Sequence, residues 1–256
     1  MKKLLLFILA AVCFAVALFS GYRLWRHVAE EQEIKEQFIG LSEQIRRPPT
    51  LAPGKSETTR TEWTVYDQYG ELFEQNTDMI GWIAIDGTTL SYPVMHTPDR
   101  PNFYLKRDFE KNHSNFGVPY IAESSSINPQ SDNLIIYGHH MRNGGMFGLL
   151  EQYKSEEFYR DHSIIRFDTR AGFGSYEIFA VFKVNPADFQ YHMFIDAADQ
   201  AEFDEYVFRC KAFSFYDTGI TAQYGDKLIT LSTCEYSRDN NRFIVVARKI
   251  VERGSP

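Results

Sequence analysis

Between residues 80 and 250 the chain is a series of short, apolar, β-favouring runs separated by turn signals, and that pattern leaves few folds open. Strands are expected near 80–85 (Ile80-Gly81-Trp82-Ile83-Ala84-Ile85), 89–94, 118–122, 133–137, 163–168, 175–184, 227–233 and 242–250. Asp86-Gly87, between the first two, is a strong hairpin signal. About eight short strands with few long helices predict a mainly β fold, a closed or nearly closed barrel. A helix is expected over Trp63 to Gln75, with Val65, Tyr69 and Leu72 on one face. One long helix interrupts the strands at about 196–212, where Phe203, Val207 and Cys210 follow an i, i+4, i+7 spacing. Cys210 therefore falls on a buried stripe and reads as a small core residue with an inert thiol.

The N-terminus obeys a different constraint. Leu4 to Phe19 is free of charge, and with Ser20, Gly21 and Tyr22 the run approaches the ~20 residues a bilayer core requires. Ala17-Leu18-Phe19-Ser20 matches a signal-peptidase site poorly, so an uncleaved signal-anchor is preferred to a removed signal peptide. Lys2 and Lys3 lie on the short tail, which favours export of the large body. Beyond it, Ile34, Phe38, Leu41 and Ile45 recur at helical spacing, and Arg46-Arg47-Pro48-Pro49 opens a linker rich in proline and small polar residues. Three regions are expected: a cytoplasmic tail and transmembrane anchor over 1–27, a juxtamembrane helix and linker over 28–61, and a folded domain over 62–256.

Charge excludes one class of partner. The net charge is -7, and the first 27 residues hold four basic side chains and no acid, so the body is more acidic than the whole. Such a surface is repelled by phosphate backbones, and no nucleic-acid role is expected. The three cysteines, at 13, 210 and 234, form neither a CxxC pair nor a zinc pattern, and no acidic loop has calcium-binding spacing. Neither a metal nor a cofactor is expected.

Cys234 ends the run Leu228-Ile229-Thr230-Leu231-Ser232-Thr233-Cys234, just before the polar loop Glu235 to Asn241. A strand end holds a thiol on a rigid element while leaving it open to substrates. Asn133-Leu134-Ile135-Ile136-Tyr137-Gly138-His139-His140 delivers two histidines into a glycine-rich loop. A thiol nucleophile needs an imidazole, either to take its proton or to protonate a leaving amine. Arg242 opens the apolar strand Phe243 to Ala247, which the intervening turn would lay antiparallel to the cysteine strand. At that shared rim its guanidinium suits a developing oxyanion. Taken singly, each of these residues also has a structural reading: a buried strand cysteine, solvated loop histidines, a solvated arginine.

Taken together, Thr230-Leu231-Ser232-Thr233-Cys234, the following Arg242 and the upstream Tyr137-Gly138-His139 resemble the sortases, membrane-anchored cysteine transpeptidases of Gram-positive bacteria. Gly81-Trp82-Ile83, Ser91-Tyr92-Pro93-Val94, Tyr104-Leu105, Gly144-Gly145-Met146-Phe147-Gly148 and the inserted helix are similar to class B members. The resemblance covers roughly residues 65–250 and implies a closed, eight-stranded sortase-like β-barrel with an N-terminal helix and one long inserted helix. It makes Cys234 the nucleophile, His139 the general acid/base and Arg242 the oxyanion and substrate-orienting residue. Leu105, Tyr104 and Ser232 become expected substrate contacts. His140 stands where class B sequences often carry Asn, and Arg238 is a rival for Arg242.

The implied reaction cleaves an NPxTx-like C-terminal sorting signal after Thr, through a thioester, and transfers the secreted protein to an amine of a cell-wall peptide or peptidoglycan precursor. The implied location is the cell membrane, single-pass, with the catalytic domain outside. Two alternatives stand beside it: a secreted cysteine peptidase that hydrolyses its thioester, and a non-catalytic wall-binding barrel whose Cys234 is structural.

Overall fold

A computed structural model describes residues 2–48, 63–141, 143–234 and 240–251, with Cys234 described by its backbone. The linker and the expected domain boundary near 60, like Arg238, lie outside the described residues. The chain divides into two units, Met1–Leu41 and Ser42–Pro256.

The first unit is nearly all of one helix, α1 (Lys2–Glu43), uninterrupted from the apolar run through the Glu- and Gln-rich stretch. At 1.5 Å per residue it is about 63 Å long, so an apolar segment able to cross a bilayer occupies less than half of it. That segment lies near the N-terminus, has a mean hydropathy of 2.0, and shows its side chains from Leu6 to Val28 to the exterior.

The second unit is the barrel. Helix α2 (Val65–Gln75) leads into strands β1 (Met79–Ala84), β2 (Ser91–Met95), β3 (Tyr120–Ile121) and β4 (Asn133–His139). A short helix α3 (Glu156–Asp161) precedes β5 (Ile164–Thr169) and β6 (Ser175–Val184). Helix α4 (Gln200–Phe213) is inserted before β7 (Leu228–Cys234) and β8 (Arg242–Lys249). The strands close in the order β1-β2-β3-β4-β7-β8-β6-β5. Two pairings, β2 with β3 and β4 with β7, are parallel; the others are antiparallel. A closed mixed barrel leaves no free sheet edge.

Both faces of β1 are buried, which is why it reads as a continuous apolar run rather than an alternating one. Tyr69 of α2 stacks on Trp82 and donates its hydroxyl to Asp168 of β5 at 2.6 Å, so α2 roofs this side of the barrel. Thr64 and Asp67 form a reciprocal capping box at the start of α2, a device worth about 1 kcal/mol.

Helix α4 starts at Gln200, four residues later than the periodicity suggests, because the preceding polar groups are spent elsewhere. Asp196 accepts from the Asp132 amide at 2.8 Å, Asp132 accepts from the Ala197 amide at 3.0 Å, and Asp199 caps the helix. Its buried stripe is Phe203, Tyr206, Val207 and Cys210, in one apolar cluster with Phe194, Phe182, Leu228, Ile244 and Val246, and β6 is the strand it packs on most. Cys210 is fully buried and free, as its place on the stripe predicts. Burial pushes its thiol far above the ordinary range, so it is inert.

Strand β3 is shorter than expected. The Val118 amide is committed to the Tyr104 carbonyl at 3.1 Å and Pro119 has no N–H to give, so the ladder opens only at Tyr120.

Candidate active site

Three strand termini meet at one rim of the barrel. In the parallel ladder of β4 and β7 each residue has a direct partner, from Asn133 opposite Leu228 to His139 opposite Cys234. Neighbouring strands lie about 4.8 Å apart, so the last pair of the ladder sets the two residues side by side. In the antiparallel ladder of β7 and β8, Ser232 pairs with Ile244. Two residues further along each strand, Arg242 stands level with Cys234. The Thr233 hydroxyl accepts the Phe243 amide at 2.9 Å, which ties the opening of β8 to the end of β7. The antiparallel arrangement read from the sequence is therefore observed. The Arg242 guanidinium lies within 3.4 Å of the Asn240 and Asn241 carbonyls, on the turn that precedes its strand.

His139 is buried, and its Nε2 lies 2.6 Å from the Leu105 carbonyl. A carbonyl only accepts, so Nε2 carries the proton and Nδ1 is the atom left to exchange one. Burial lowers the His139 pKa below the usual imidazole range; the Leu105 carbonyl opposes this and the Lys106 charge adds to it. The neutral ring is thus favoured at neutral pH.

His140 is differently placed. It pairs with Met146 in an isolated bridge, and its Nε2 faces Glu151 at 3.9 Å. Alternation along the strand turns it to the face opposite His139. Between Tyr137 and His139, Gly138 lies flat on the ring of Phe147, and a Cβ there would approach that ring to 2.6 Å. Glycine before the histidine is thus a packing requirement, letting a plug of the barrel interior press against the histidine strand.

Of the expected substrate contacts, Leu105 lies beside His139 and engages it through its backbone. Tyr104 and Ser232 are fully buried. The Tyr104 hydroxyl donates to Asp78 at 2.8 Å, and the Ser232 hydroxyl is 2.8 Å from that of Tyr191. Both hydroxyls therefore have partners inside the domain. The Leu105 carbonyl, Asp78 and Tyr191 carry no signal in the sequence, because a backbone acceptor has no residue type and the other two gain their roles only through tertiary neighbours.

A pH dependence of stability follows from two histidines, His139 buried and His96 half-buried. Burial lowers the pKa of both His139 and His96. Unfolded, each titrates near 6.5. As pH falls below about 6.5 the unfolded chain takes up protons that the folded one refuses, so folding stability falls with pH in that window and is flat above it. The melting temperature is expected to hold from pH 8 to 6.5 and decline below, ahead of carboxylate titration. His96→Asn should flatten that decline; an unchanged slope would show that His96 titrates alike in both states.

Residues 83–250 match a family profile described as Sortase domain. In sequence the chain is 28% identical over 252 residues to the Sortase B of Staphylococcus aureus, covering 98% of each. In structure it resembles sortase B from B. anthracis, with a TM-score of 0.73 at 25% identity over 87% of this chain and 99% of that one. A Staphylococcus aureus sortase B–substrate complex matches with a TM-score of 0.67 at 28% identity, over 88% and 94% of the two chains. With the cysteine, histidine and arginine strands closing one barrel rim in the same chain, the family is settled: this protein belongs to the sortases, and within them to class B.

Proposed function

We propose that this cysteine transpeptidase works through Cys234 as nucleophile, His139 as acid and base, and Arg242 as the oxyanion partner. The observation that carries the reading is the parallel register that pairs His139 with Cys234. Paired positions of adjacent strands lie side by side, so the ladder brings the backbone position of the cysteine next to that of the histidine.

The thiolate attacks the Thr carbonyl of a sorting signal, and the Arg242 guanidinium neutralises the oxyanion of the tetrahedral intermediate. His139, as imidazolium, protonates the leaving amine from Nδ1, and a thioester remains. An incoming amine then attacks the thioester, His139 takes its proton, and the thiolate departs as the new amide forms. A lowered His139 pKa makes the imidazolium a minor species at neutral pH, so turnover is expected to be slow.

Sortases are cell-surface enzymes, acting on sorting-signal proteins and cell-wall peptide acceptors. For this chain the substrate is proposed to be an NPxTx-like signal and the acceptor a peptidoglycan amine. Residues 1–27 are proposed as a cytoplasmic tail and single-pass anchor and residues 62–256 as the extracellular catalytic domain, supported by the length and apolarity of the helix.

The test is to incubate the full chain in detergent with quenched sorting peptides, with and without an added amine. Cleavage after Thr with capture of the amine is expected. Cleavage that ignores the amine would favour the hydrolytic peptidase, and no cleavage of any peptide the wall-binding barrel.

A further inference from the structure

We propose that Gly117 and Tyr104 are positioning residues for the reaction, holding the Leu105 carbonyl at the point from which it orients His139. The proposal rests on the reading of His139 as the acid–base.

Leu105 lies in a single 3-10 turn, Phe103–Lys106, and neighbouring carbonyls of that turn are engaged from outside it. The Tyr104 carbonyl accepts from the Val118 amide at 3.1 Å, and the Leu105 carbonyl meets His139 Nε2 at 2.6 Å. Gly117 presses on both. Its φ is +60°, and a Cβ built on it would stand 2.5 Å from the Tyr104 oxygen and 2.6 Å from the Leu105 oxygen. Any side chain there must push the carbonyl away from its contact with His139, and the left-handed backbone is itself unfavourable for alanine.

From below, the turn is fixed by the Tyr104 side chain. Its hydroxyl donates to Asp78 at 2.8 Å and accepts from Asn76 Nδ2 at 2.9 Å. Asn76 also gives Nδ2 to the Phe109 carbonyl at 2.6 Å and takes the Asp78 amide on Oδ1 at 3.0 Å. Arg100 and Lys111 pair with the Asp78 carboxylate at 2.8 and 3.1 Å. Burial would raise the Asp78 pKa, but the hydrogen bonds from Tyr104, Lys111 and Arg100 outweigh it, so the acceptor stays ionised. The carbonyl that orients His139 is thus held between the α2–β1 junction and the lead-in to β3. Imidazole orientation is set by the point its outer nitrogen bonds, and small misplacements of an acid–base group are costly in rate.

Gly87 supplies a matched control. It too has a left-handed φ, +77°, but lies in the β1–β2 turn, where a Cβ would meet the His162 ring and not the 103–106 turn. The experiment compares Gly117→Ala, Tyr104→Phe, Gly87→Ala and His139→Ala in the full-length enzyme in detergent. The readouts are kcat, KM, melting temperature and the ring-nitrogen resonances of labelled His139. Gly117→Ala is expected to lose kcat by about ten-fold or more with KM little changed. Its His139 Nε2 signal should lose the hydrogen-bonded shift, and the acid limb of kcat/KM should move to lower pH, because the carbonyl that favours the imidazolium is withdrawn. Tyr104→Phe should move both readouts the same way by less, and Gly87→Ala should lower the melting temperature alone. A folded Gly117→Ala enzyme with normal kcat and an unmoved His139 signal would overturn the proposal, as would an equal kcat loss in Gly87→Ala. Retained turnover in His139→Ala would instead overturn the acid–base reading, while the resonances would still report whether the clamp holds the ring.

Discussion

Alanine at position 234 is expected to abolish both peptide cleavage and transfer to an amine, while alanine at 210 leaves both near normal. Among the described residues no other group at this rim is a comparable nucleophile, so loss of the Cys234 thiol removes the covalent route. A loss of about 10⁶-fold is the scale seen when a nucleophile is deleted. Cys210 is fully buried on the inner stripe of α4, its thiol pushed far above the range in which thiolate exists at neutral pH. Cys210→Ala removes only a small buried group, at about 1 kcal/mol of stability, and melting curves would register it. Equal losses of activity in two folded variants would show that the two thiols have been assigned wrongly. A Cys234→Ala enzyme that still makes the amide bond would remove the thioester from the mechanism.

The contrast between these cysteines was legible because helical period and strand position are properties of the string. Phe203, Val207 and Cys210 keep an i, i+4, i+7 spacing, and that alone buries Cys210. The eight strands were equally legible, since apolar runs bounded by turn residues have little choice of structure. Strand pairing was only partly so. Antiparallel β7 and β8 follow from a short turn, but the parallel pairing of β4 with β7 joins His139 to Cys234 across nearly a hundred residues. No local signal encodes it; here the family resemblance supplied what spacing did not. The residues beneath the site were the least legible. Tyr104 and Ser232 were expected to touch substrate, yet their hydroxyls are engaged with Asp78 and Tyr191. A polar residue near a catalytic motif reads the same whether it faces the groove or braces it, and only tertiary neighbours separate the cases. The late start of α4 has the same cause, as Asp132 and Asp196 outbid the helix for the amides around residue 197.

Arg242 carries the second large expectation. If its guanidinium holds the oxyanion, lysine should replace it poorly, because an ammonium cannot offer a planar fork of donors from the same backbone position. Losing one oxyanion donor costs about 2.7–4 kcal/mol, or about 10²–10³ in rate, so Arg242→Lys should lower kcat by that order. The fold should tolerate the change. Phe243, the next residue, anchors the strand through the Thr233 hydroxyl, and the aliphatic stem of lysine can follow that of arginine along the turn of Asn240 and Asn241. Arg238, in the polar loop of the sequence, is the rival cation, and Arg238→Lys should cost little, since a solvated charge contributes weakly. The measurement is kcat/KM for both variants on one sorting peptide, with melting curves confirming that each is folded. Near-normal turnover in Arg242→Lys beside a large loss in Arg238→Lys would move the oxyanion role to the loop. Small effects in both would mean that backbone amides around Cys234 bear the developing charge and that Arg242 serves only to turn the chain into β8.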